Sequence, residues 1–592
     1  MKEKSVILSL CLSGHGFSGA ICIDGDIING GSLERITRVK NDILLPFSKA
    51  DLKTFGWNDD PKVYLDFFDY DFDLETDYSA FDISKSKKFV DFIDYLLTSA
   101  NITFEEVTDV VYSYRHVEIV RRYFLERNPK INFVEPEHHF SHACQAFLPS
   151  EFDDAAIMVI DGQGVPMKRT GGDQLCGGLY FGQGTEIKTL HEFPVSYSLG
   201  GMYAAFTKKL GFKTNQEGKT MGLAAYGTPD VYNELVKGLK FEKLDFNLRR
   251  RLKRGLSIHK AMYMLPDYYT FLKQFPDKKS GEEYSKLHKD LAYAVQKLTE
   301  DVMVYLANWL YEHTESENLC IAGGVGLNCV ANYIVLQNSK FKNIFIHPNA
   351  GDNGLVIGQA LYLHNIINGK PRTYIDTNDY LGKEYSAATI SQSVQKHKGN
   401  AELEVIEYEN LTDLYDQMAQ YIADGKITCW YQGRSEFGPR ALGNRSILAD
   451  PRRDDMKDIL NSRVKFRESF RPFTPSVLAE KSSEYFELDV ESPFMLLAPQ
   501  VKKGMGEKVP AITHADNTAR VQTVTRDVNE RYYDLICAFE KLTGVPMVLD
   551  TSFNVADEPI VETPDDAIRC FLSTDIDVIG IGNAIIKKRI KF

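Results

Sequence analysis

The sequence predicts an α/β fold in which a duplicated N-terminal half is followed by a separate C-terminal α/β domain. Three observations support this prediction. A strand, glycine turn and strand pattern occurs twice before residue 200, short apolar runs alternate with helical segments after residue 400, and a polar passage lies between these regions. The chain has 592 residues, of which 43% are hydrophobic and 26% charged, so it is long and apolar enough to form at least two domains.

Both copies of the pattern begin with an apolar run that predicts a strand. In the first copy, the run 6–12 leads into a glycine turn and a second strand at 18–23. In the second copy, the run 155–160 leads into a turn that contains Asp161 and Gly162, and return strands follow it. The doubling therefore predicts two related halves that face each other across a cleft.

Helical spacing of apolar residues predicts helices at 86–99 and 284–313, and these would cover the sheets. The second helix ends just before a strand-like run at 319–322. A polar passage begins near residue 370, and after it short β-like runs alternate with helices. We therefore predict an N-terminal domain at 1–370, a linker region at 371–395 and a C-terminal domain at 396–592.

The overall charge of the chain argues against a nucleic-acid partner. Asp and Glu outnumber Lys and Arg by 82 to 69, which gives a formal net charge of -13 that would repel a phosphate backbone. We find no uninterrupted apolar run of about eighteen residues and no signal-peptide pattern. The nine cysteines are scattered singly, without a CxxC pair. These features favour a cytoplasmic protein without a membrane partner, and a homodimer would be the commonest closed assembly.

Four residues form a candidate metal site. His138 and His142 in EHHFSHACQAF would leave the same face of a helix, although such a pair alone is more often two core or surface histidines. Asp161 follows an apolar strand, where α/β folds present ligands to a crevice. Asp352 in HPNAGDNG precedes a helical run, and taken alone it is more often an N-cap. Together they predict a mixed nitrogen and oxygen site for divalent iron, manganese or zinc.

The glycine turn GGVGLN predicts a nucleotide contact. Gly323 and Gly324 allow the backbone to approach a ligand closely, and amide donors near Asn328 suit phosphate or ribose. A tight turn without a ligand is an equal alternative. The segment NQEGKTMGLAAYG resembles the end of a P-loop, but Lys213 stands where that motif requires glycine, so we reject a P-loop.

The segment from Arg434 to Arg471 concentrates positive charge in an acidic chain. It contains ten Lys or Arg residues against six Asp or Glu residues, which predicts an anion site. The planar guanidinium group matches phosphate oxygens, so we assign function to Arg440, Lys465 and Arg471. Other cations alternate with aspartates and read as a solvated helix: Arg452, Arg453 and Lys457.

Two later segments could complete the anion pocket. Arg520 lies in HADNTARVQTV among small polar residues, and Ser552 follows an apolar strand in LDTSFN. Asn554 in the same motif is about equally plausible as a turn former.

These motifs together resemble the O-carbamoyltransferase family of nodulation-factor, aminoglycoside, cephalosporin and ansamycin biosynthesis. The resemblance extends from residue 138 to residue 554 and rests on HHFSHA, IDGQG, EGKTMGLAAYG, GGVGLN, AGDNG, GPRALGNRSILADPR, NSRVKFRESFRPF and DTSFN. It implies an N-terminal domain similar to threonylcarbamoyl-transfer members of the actin-like ATPase superfold. It also implies a C-terminal domain similar to YrdC.

The resemblance implies an ATP-dependent O-carbamoyltransferase that works in two steps. Carbamoyl phosphate and ATP, with Mg²⁺, would give carbamoyladenylate in the C-terminal domain, and the carbamoyl group would then pass to a small-molecule hydroxyl beside a metal ion, Fe²⁺ first among the candidates. The family's metal ligands match His138, His142, Asp161 and Asp352. Its carbamoyl phosphate and adenylate positions match Arg440, Lys465, Arg471, Arg520 and Ser552.

Two N-terminal residues are further candidates. The resemblance implies that Lys40 contacts nucleotide. His15 stands in SGHGFSGA, where relatives more often carry His-Asp, and here Gly16 follows it. A general base near the acceptor and a structural hydrogen bond are equally plausible roles for His15.

Two other functions remain as alternatives. A macromolecular acceptor, either a protein thiol or tRNA, would keep the chemistry, but the missing CxxC pairs and the negative charge argue against it. A nucleotide-binding regulator without turnover would not need Arg440, Lys465 and Arg520 intact.

Overall fold

A computed structural model describes residues 4–13, 16–42, 83–113, 117–164, 175–213, 215–238 and 271–589. Its first sheet has the strand order β3-β2-β1-β4-β5. β1 pairs antiparallel with β2 and parallel with β4. The strands are β1 Val6–Ser13, β2 Gly16–Ile23, β3 Asp26–Ser32, β4 Asp109–Ser113 and β5 Asn132–Val134.

The second sheet repeats this arrangement. Its strands are β6 Asp154–Ile160, β7 Leu175–Gln183, β8 Glu186–Pro194, β9 Asn318–Ala322 and β10 Asn343–Ile346. Their order is β10-β9-β6-β7-β8, which read in reverse matches the first sheet. β6 again pairs antiparallel with the next strand, β7, and parallel with β9. The predicted duplication is thus confirmed, and the repeated strand order agrees with the actin-like ATPase type of fold that the resemblance implies.

The third sheet contains eight strands in the order β11-β18-β17-β12-β13-β16-β14-β15. It confirms that the C-terminal part is α/β, while its likeness to YrdC stays a prediction. The strands are β11 Leu403–Glu407, β12 Thr428–Tyr431, β13 Arg445–Ala449, β14 Thr474–Leu478, β15 Gln522–Val524, β16 Met547–Ser552, β17 Val578–Ile581 and β18 Ala584–Lys588.

Helices cover the sheets, and the two helices predicted from apolar spacing form at Lys87–Ser99 and Lys286–Thr314. Within the described ranges, no helix combines the length and apolarity that crossing a membrane requires. The remaining α-helices of the described residues are Leu33–Thr37, Val117–Arg127, His138–Phe147, Leu199–Lys209, Glu217–Ala224, Asp230–Gly238, Cys329–Asn338, Leu355–Leu361, Ala387–Gln395, Leu411–Ala423, Met456–Leu460, Ser482–Tyr485, Glu530–Thr543 and Pro564–Leu572.

The predicted linker region is packed against the N-terminal half. The Arg372 guanidinium donates hydrogen bonds to the carbonyl oxygens of Leu148 at 3.0 Å and Phe152 at 2.7 Å, and also to that of Ser150. Its guanidinium carbon lies 4.5 Å from the centre of the Phe147 ring. One cation thus satisfies several backbone acceptors at the end of a helix, where helices leave carbonyls unpaired. The domain boundaries themselves stay a prediction.

The two parts of the chain meet along a seam of hydrogen bonds and aromatic contacts. Arg38 donates to the carbonyl oxygens of Pro559 at 2.8 Å and Ile560 at 2.6 Å. Lys219 forms an ion pair with Glu468 at 2.7 Å. The second contact joins the arginine-rich segment to the N-terminal half, and the first joins a later C-terminal segment to it.

A buried carboxyl group lies in the third sheet. Asp550 Oδ2 accepts hydrogen bonds from three hydroxyl groups: Tyr532 at 2.8 Å, Ser476 at 3.0 Å and Ser446 at 3.1 Å. Burial nevertheless raises the pKa of Asp550 to about 7. The neutral acid is therefore favoured in the folded chain up to about neutral pH.

We expect Asp550→Asn to change how stability depends on pH. The folded chain keeps a proton on Asp550 that the unfolded chain releases above its ordinary pKa of 3.8. This group's contribution to stability is complete below that value and is lost as pH rises through about 7. When the pH rises from 5 to 8, the free energy of unfolding of the Asn variant should increase by about 3 kcal/mol relative to that of the wild type. Urea unfolding midpoints at both pH values measure this, with Asp454→Asn as an exposed control, and parallel curves would contradict it.

We expect Arg372→Leu to destabilise the N-terminal half by about 3 kcal/mol, because several backbone carbonyls lose a charged donor together. Thermal unfolding followed by circular dichroism measures the shift. Arg453→Leu is the matched control, since its exposed ion pair with Asp455 should contribute less than about 1 kcal/mol. Equal shifts for the two variants would refute the structural role of Arg372.

Candidate functional site

The helix His138–Phe147 begins at a side-chain cap that sets the direction of its histidines. The Glu137 carboxylate accepts hydrogen bonds from the backbone N–H groups of His139 at 3.1 Å and Phe140 at 2.6 Å. This satisfies donors that a helix start leaves unpaired. His138 and His142, four residues apart, then lie on one face and are both buried.

The four predicted metal ligands come together. His138 Nε2 lies 3.3 Å from Asp161 Oδ2 and 3.7 Å from Asp352 Oδ1. His142 Nε2 lies 3.5 Å from Asp352 Oδ1. One donor atom from each of the four residues lies within 4.8 Å of all the others. The helix, the end of β6 and the AGDNG turn therefore converge at one point.

The glycine turn after β9 holds Asp161 in place. The backbone N–H of Gly324 donates to Asp161 Oδ1 at 3.0 Å, which leaves Oδ2 facing His138. Gly323 has φ +89°, and a Cβ there would lie 2.3 Å from the carbonyl oxygen of Ile160. Only glycine fits this conformation and this approach. In the structure, Gly323 and Gly324 position the Asp161 carboxylate. Their contact with a nucleotide stays a prediction.

Asp352 lies at the start of the short helix Asp352–Gly354, and the N-cap of that helix is Gly351. The following helix, Leu355–Leu361, has Gly354 as its N-cap. The N-cap alternative for Asp352 is therefore wrong. The turn instead directs the Asp352 carboxylate towards the two histidines.

The electrostatics of the cluster suit a divalent cation. Burial alone would lower the pKa of His138, but its hydrogen bond to Asp161 and the charge of Asp352 raise that pKa to about 9. Burial would raise the pKa of Asp161, and the surrounding histidines lower it instead. Among the described residues, the buried His142 Nε2 has no hydrogen-bond partner. Two imidazoles and two carboxylates so arranged match the donor set of iron, manganese or zinc.

Two neighbours of the cluster were missed in the sequence. His139 is fully buried, with Nε2 3.8 Å from Asp161 Oδ2, and burial lowers its pKa. Gln145 Oε1 lies 2.7 Å from His142 Nδ1. The signal for Gln145 was present, because a residue three positions after His142 shares its helix face.

The predicted anion-binding residues also gather at one place. Burial, then the charge of Arg520, lowers the pKa of Arg440, and Arg471 acts in the same direction. Within the described part of the chain, the buried Nε atoms of Arg440 and Arg520 have no hydrogen-bond partner. No ion pair within 4.0 Å joins either guanidinium to a described carboxylate. Because an unpaired cation is costly to remove from water, an anionic ligand would stabilise this cluster.

Lys465 is a buried member of this pocket. Its Nζ donates to Asn554 Oδ1 at 2.9 Å, to the Asn554 carbonyl oxygen at 3.0 Å and to Ser552 Oγ at 3.3 Å. Burial lowers the pKa of Lys465, and the charges of Arg467 and Arg471 lower it further. Ser552 thus supports Lys465 from within the pocket.

Arg467 is a member of the pocket that the sequence analysis missed. Burial and the charges of Arg471 and Arg520 lower its pKa to about 9. Its guanidinium carbon lies 4.2 Å from the centre of the Phe473 ring. The signal was its place between two selected cations, Lys465 and Arg471.

The other predicted residues have different surroundings. Lys40 is an exposed residue, and partial desolvation together with the charges of Arg471 and Lys219 lowers its pKa; its contact with nucleotide stays a prediction. Asn328 Oδ1 caps the helix Cys329–Asn338 by accepting from the backbone N–H of Ala331 at 3.0 Å, so its side chain has a structural task. His15 lies outside the described residues.

The remaining basic residues are occupied by protein partners. Arg452 pairs with Asp450 at 2.7 Å and Arg453 with Asp455 at 2.6 Å. Lys457 donates to the carbonyl oxygen of Thr513. These contacts agree with the structural reading of the three cations.

The pocket and the glycine turn adjoin each other. Cys329 begins the helix that follows the turn, and its thiol is close enough to Arg520 and Arg440 for their charges to lower its pKa, although burial raises it overall. The carbonyl oxygen of Cys329 also accepts from the backbone N–H of Ala498 at 3.1 Å, so the start of this N-terminal-half helix lies against the C-terminal part of the chain near the anion pocket.

Comparisons with relatives agree with this arrangement. The chain is 40% identical over 465 residues to nodulation protein NolNO of Sinorhizobium fredii, which covers 78% of this chain and 64% of that protein. It is 30% identical over 376 residues to 3'-hydroxymethylcephem-O-carbamoyltransferase of Streptomyces clavuligerus, covering 63% and 64%. The solved structure of T. kodakarensis HypF has 13% identity and a TM-score of 0.29, covering 48% and 44%, and this likeness is too remote to add to the strand order.

Family models match most of the chain. Residues 15–361 match the model described as Carbamoyltransferase N-terminus, and residues 419–588 match the one described as Carbamoyltransferase C-terminus. The first match contains the metal cluster, and the second contains the arginine-rich pocket. The chain therefore belongs to the carbamoyltransferase family and is an enzyme of carbamoyl transfer.

Proposed function

We propose that this carbamoyltransferase uses ATP and carbamoyl phosphate to form carbamoyladenylate in the pocket around Arg440, and then transfers the carbamoyl group to a small-molecule hydroxyl near the cluster around His142. The observation that carries the proposal is a pair of half-buried arginines, Arg440 and Arg520, whose Nε atoms are buried without a hydrogen-bond partner among the described residues. A phosphate-bearing ligand would supply the negative charge that this pocket lacks.

The pocket suits the first step. Water would cleave carbamoyl phosphate to carbamate and phosphate. A carbamate oxygen would then bond to the α-phosphorus of ATP and pyrophosphate would leave, giving carbamoyladenylate, so several phosphate groups must be bound and released. Planar guanidinium groups from Arg440, Arg471 and Arg520 can hold these oxygens in pairs. Lys465 is fixed by Asn554 and adds a point charge that is already desolvated. Donors held in place before the ligand arrives favour charge that develops in a transition state.

The metal cluster suits the second step, in which the acceptor oxygen bonds to the carbamoyl carbon and AMP leaves with the bond electrons. A divalent ion held by His138, His142, Asp161 and Asp352 would polarise an oxygen and lower the pKa of an attacking hydroxyl. The chain's own part is to orient these donors. Gly324 fixes Asp161, and Glu137 fixes the start of the helix that carries the histidines.

The name of one relative and the net charge of the chain both favour a small-molecule acceptor. The Streptomyces clavuligerus protein is named as acting on a hydroxymethyl cephem, which is a small molecule with a hydroxyl group. The net charge of -13 disfavours tRNA. Iron, with manganese and zinc as substitutes, is the metal we propose, and Mg²⁺ would accompany ATP.

We expect Arg440→Ala to reduce carbamoyl phosphate-dependent pyrophosphate release from ATP by at least about 100-fold, because a buried charge-assisted contact to the reacting phosphates is lost. The measurement is a coupled pyrophosphate assay with and without carbamoyl phosphate. Arg453→Ala, which removes an exposed arginine, should retain wild-type release. If the wild type itself releases no pyrophosphate under these conditions, the proposed activation step is wrong.

We expect His142→Ala to retain pyrophosphate release within about threefold while losing bound metal and carbamoyl transfer, because the two sites use different residues. Metal content by mass spectrometry and transfer to an alcohol acceptor are measured together. His313→Ala, a substitution on an exposed helix face, is the control. Equal loss of both steps in a folded His142→Ala protein would contradict the division between the sites.

A further inference from the structure

We propose that Gln145, His347 and Asp376 form a chain of positioning residues that holds His142 with its Nε2 towards the metal cluster. The inference rests on the proposed metal site and adds residues that lie behind it. All three side chains are buried, at 0%, 1% and 4% exposure respectively. None of them is among the four ligands.

The first link joins His142 to Gln145. His142 Nδ1 lies 2.7 Å from Gln145 Oε1. The orientation of the amide follows from its surroundings, because Gln145 Nε2 donates to the carbonyl oxygen of Asn349, with that of Gly351 at 3.4 Å. Carbonyl oxygens only accept, so the amide oxygen must face His142. His142 Nδ1 therefore carries the proton, and Nε2 keeps its lone pair for the cluster.

The second link joins Gln145 to His347. His347 Nδ1 accepts from the backbone N–H of Asn349 at 3.1 Å and lies 3.5 Å from Gln145 Nε2. Both neighbours are donors, so the His347 Nδ1 is unprotonated and its proton is on Nε2. The His347 ring thereby supports the donor end of the same amide.

The third link is Asp376. Its Oδ2 lies 3.4 Å from His347 Nε2, a close polar contact without hydrogen-bond alignment, and neither atom has a hydrogen-bond partner among the described residues. Tyr374 donates to Asp376 Oδ1 at 3.2 Å, and the backbone N–H of Asp376 donates to the carbonyl oxygen of Pro149 at 2.8 Å. The chain of contacts thus ends on a carboxyl group that is fixed at both its side chain and its backbone.

This arrangement predicts a specific loss when Gln145 is changed. Without an acceptor at Nδ1, the His142 proton can move to Nε2, and the ring is free to rotate away from the cluster. Outer contacts of this kind typically contribute 10- to 100-fold in metal affinity. Pyrophosphate formation uses the arginine pocket and should not change.

The test is Zn²⁺ binding to the full-length chain by competition with a chelating dye. We expect Gln145→Leu to weaken Zn²⁺ binding 10- to 100-fold and to retain pyrophosphate release within about twofold. Gln359→Leu is the matched control, since it removes another buried amide, one that contacts Ser9 instead of the cluster. It should bind Zn²⁺ as the wild type does.

The possible results distinguish failure of the positioning role from failure of the proposed metal site. A wild type that binds no Zn²⁺ would remove the metal site itself, and with it this chain of positioning residues. A wild type that binds while Gln145→Leu binds equally well would overturn the positioning role alone. Asp376→Asn, which nearly preserves volume, covers the case in which Gln145→Leu does not fold. It should weaken Zn²⁺ binding about threefold, and wild-type affinity in that variant would also overturn the role.

Discussion

The position of the Asp161 carboxylate is the constraint on which the candidate metal centre depends. One oxygen accepts from the Gly324 backbone and the other faces His138, so this side chain joins the end of β6, the glycine turn after β9 and the histidine helix. The close approach at Gly323 sets the distance between the first two of these elements. A larger residue at Gly323 would push the turn away from β6, and the carboxylate would lose its donor.

The anion pocket differs from the candidate metal centre in the sign of its charge. The candidate metal cluster combines two carboxylates with two imidazoles and would hold a cation. The pocket instead concentrates cations and, among the described residues, has few carboxylates to neutralise them. Glu468 lies at the pocket's edge and pairs with Lys219, with Arg471 at 3.9 Å. Charge that is removed from water without a partner destabilises the folded chain, and the proposed phosphate-bearing ligand would offset this cost.

The sequence predicted residue types at both sites better than it predicted their individual tasks. The histidine pair and both aspartates converge because helix spacing and strand ends follow simple periodic rules. Asn328 could not be assigned in advance, since a capping amide and a ligand-binding amide look alike in a loop. The packed state of the linker region was also hidden, because Arg372 binds carbonyls that no side-chain pattern reveals. Gln145 could have been found from helix spacing alone.

The connecting segment links the two sites physically. Asp376 contacts the His347 ring behind the metal cluster, and three residues later Asp379 accepts from the backbone N–H of Gly438 at 2.7 Å. Gly438 stands two residues before Arg440, and a Cβ there would lie 3.2 Å from the carbonyl oxygen of Pro348, next to His347. The loop that carries Arg440 is therefore seated on the turn that supports the histidine ligands. In the proposed reaction, an intermediate made in one site and used in the other would require a fixed distance between the two sites, and this shared contact would help to set that distance.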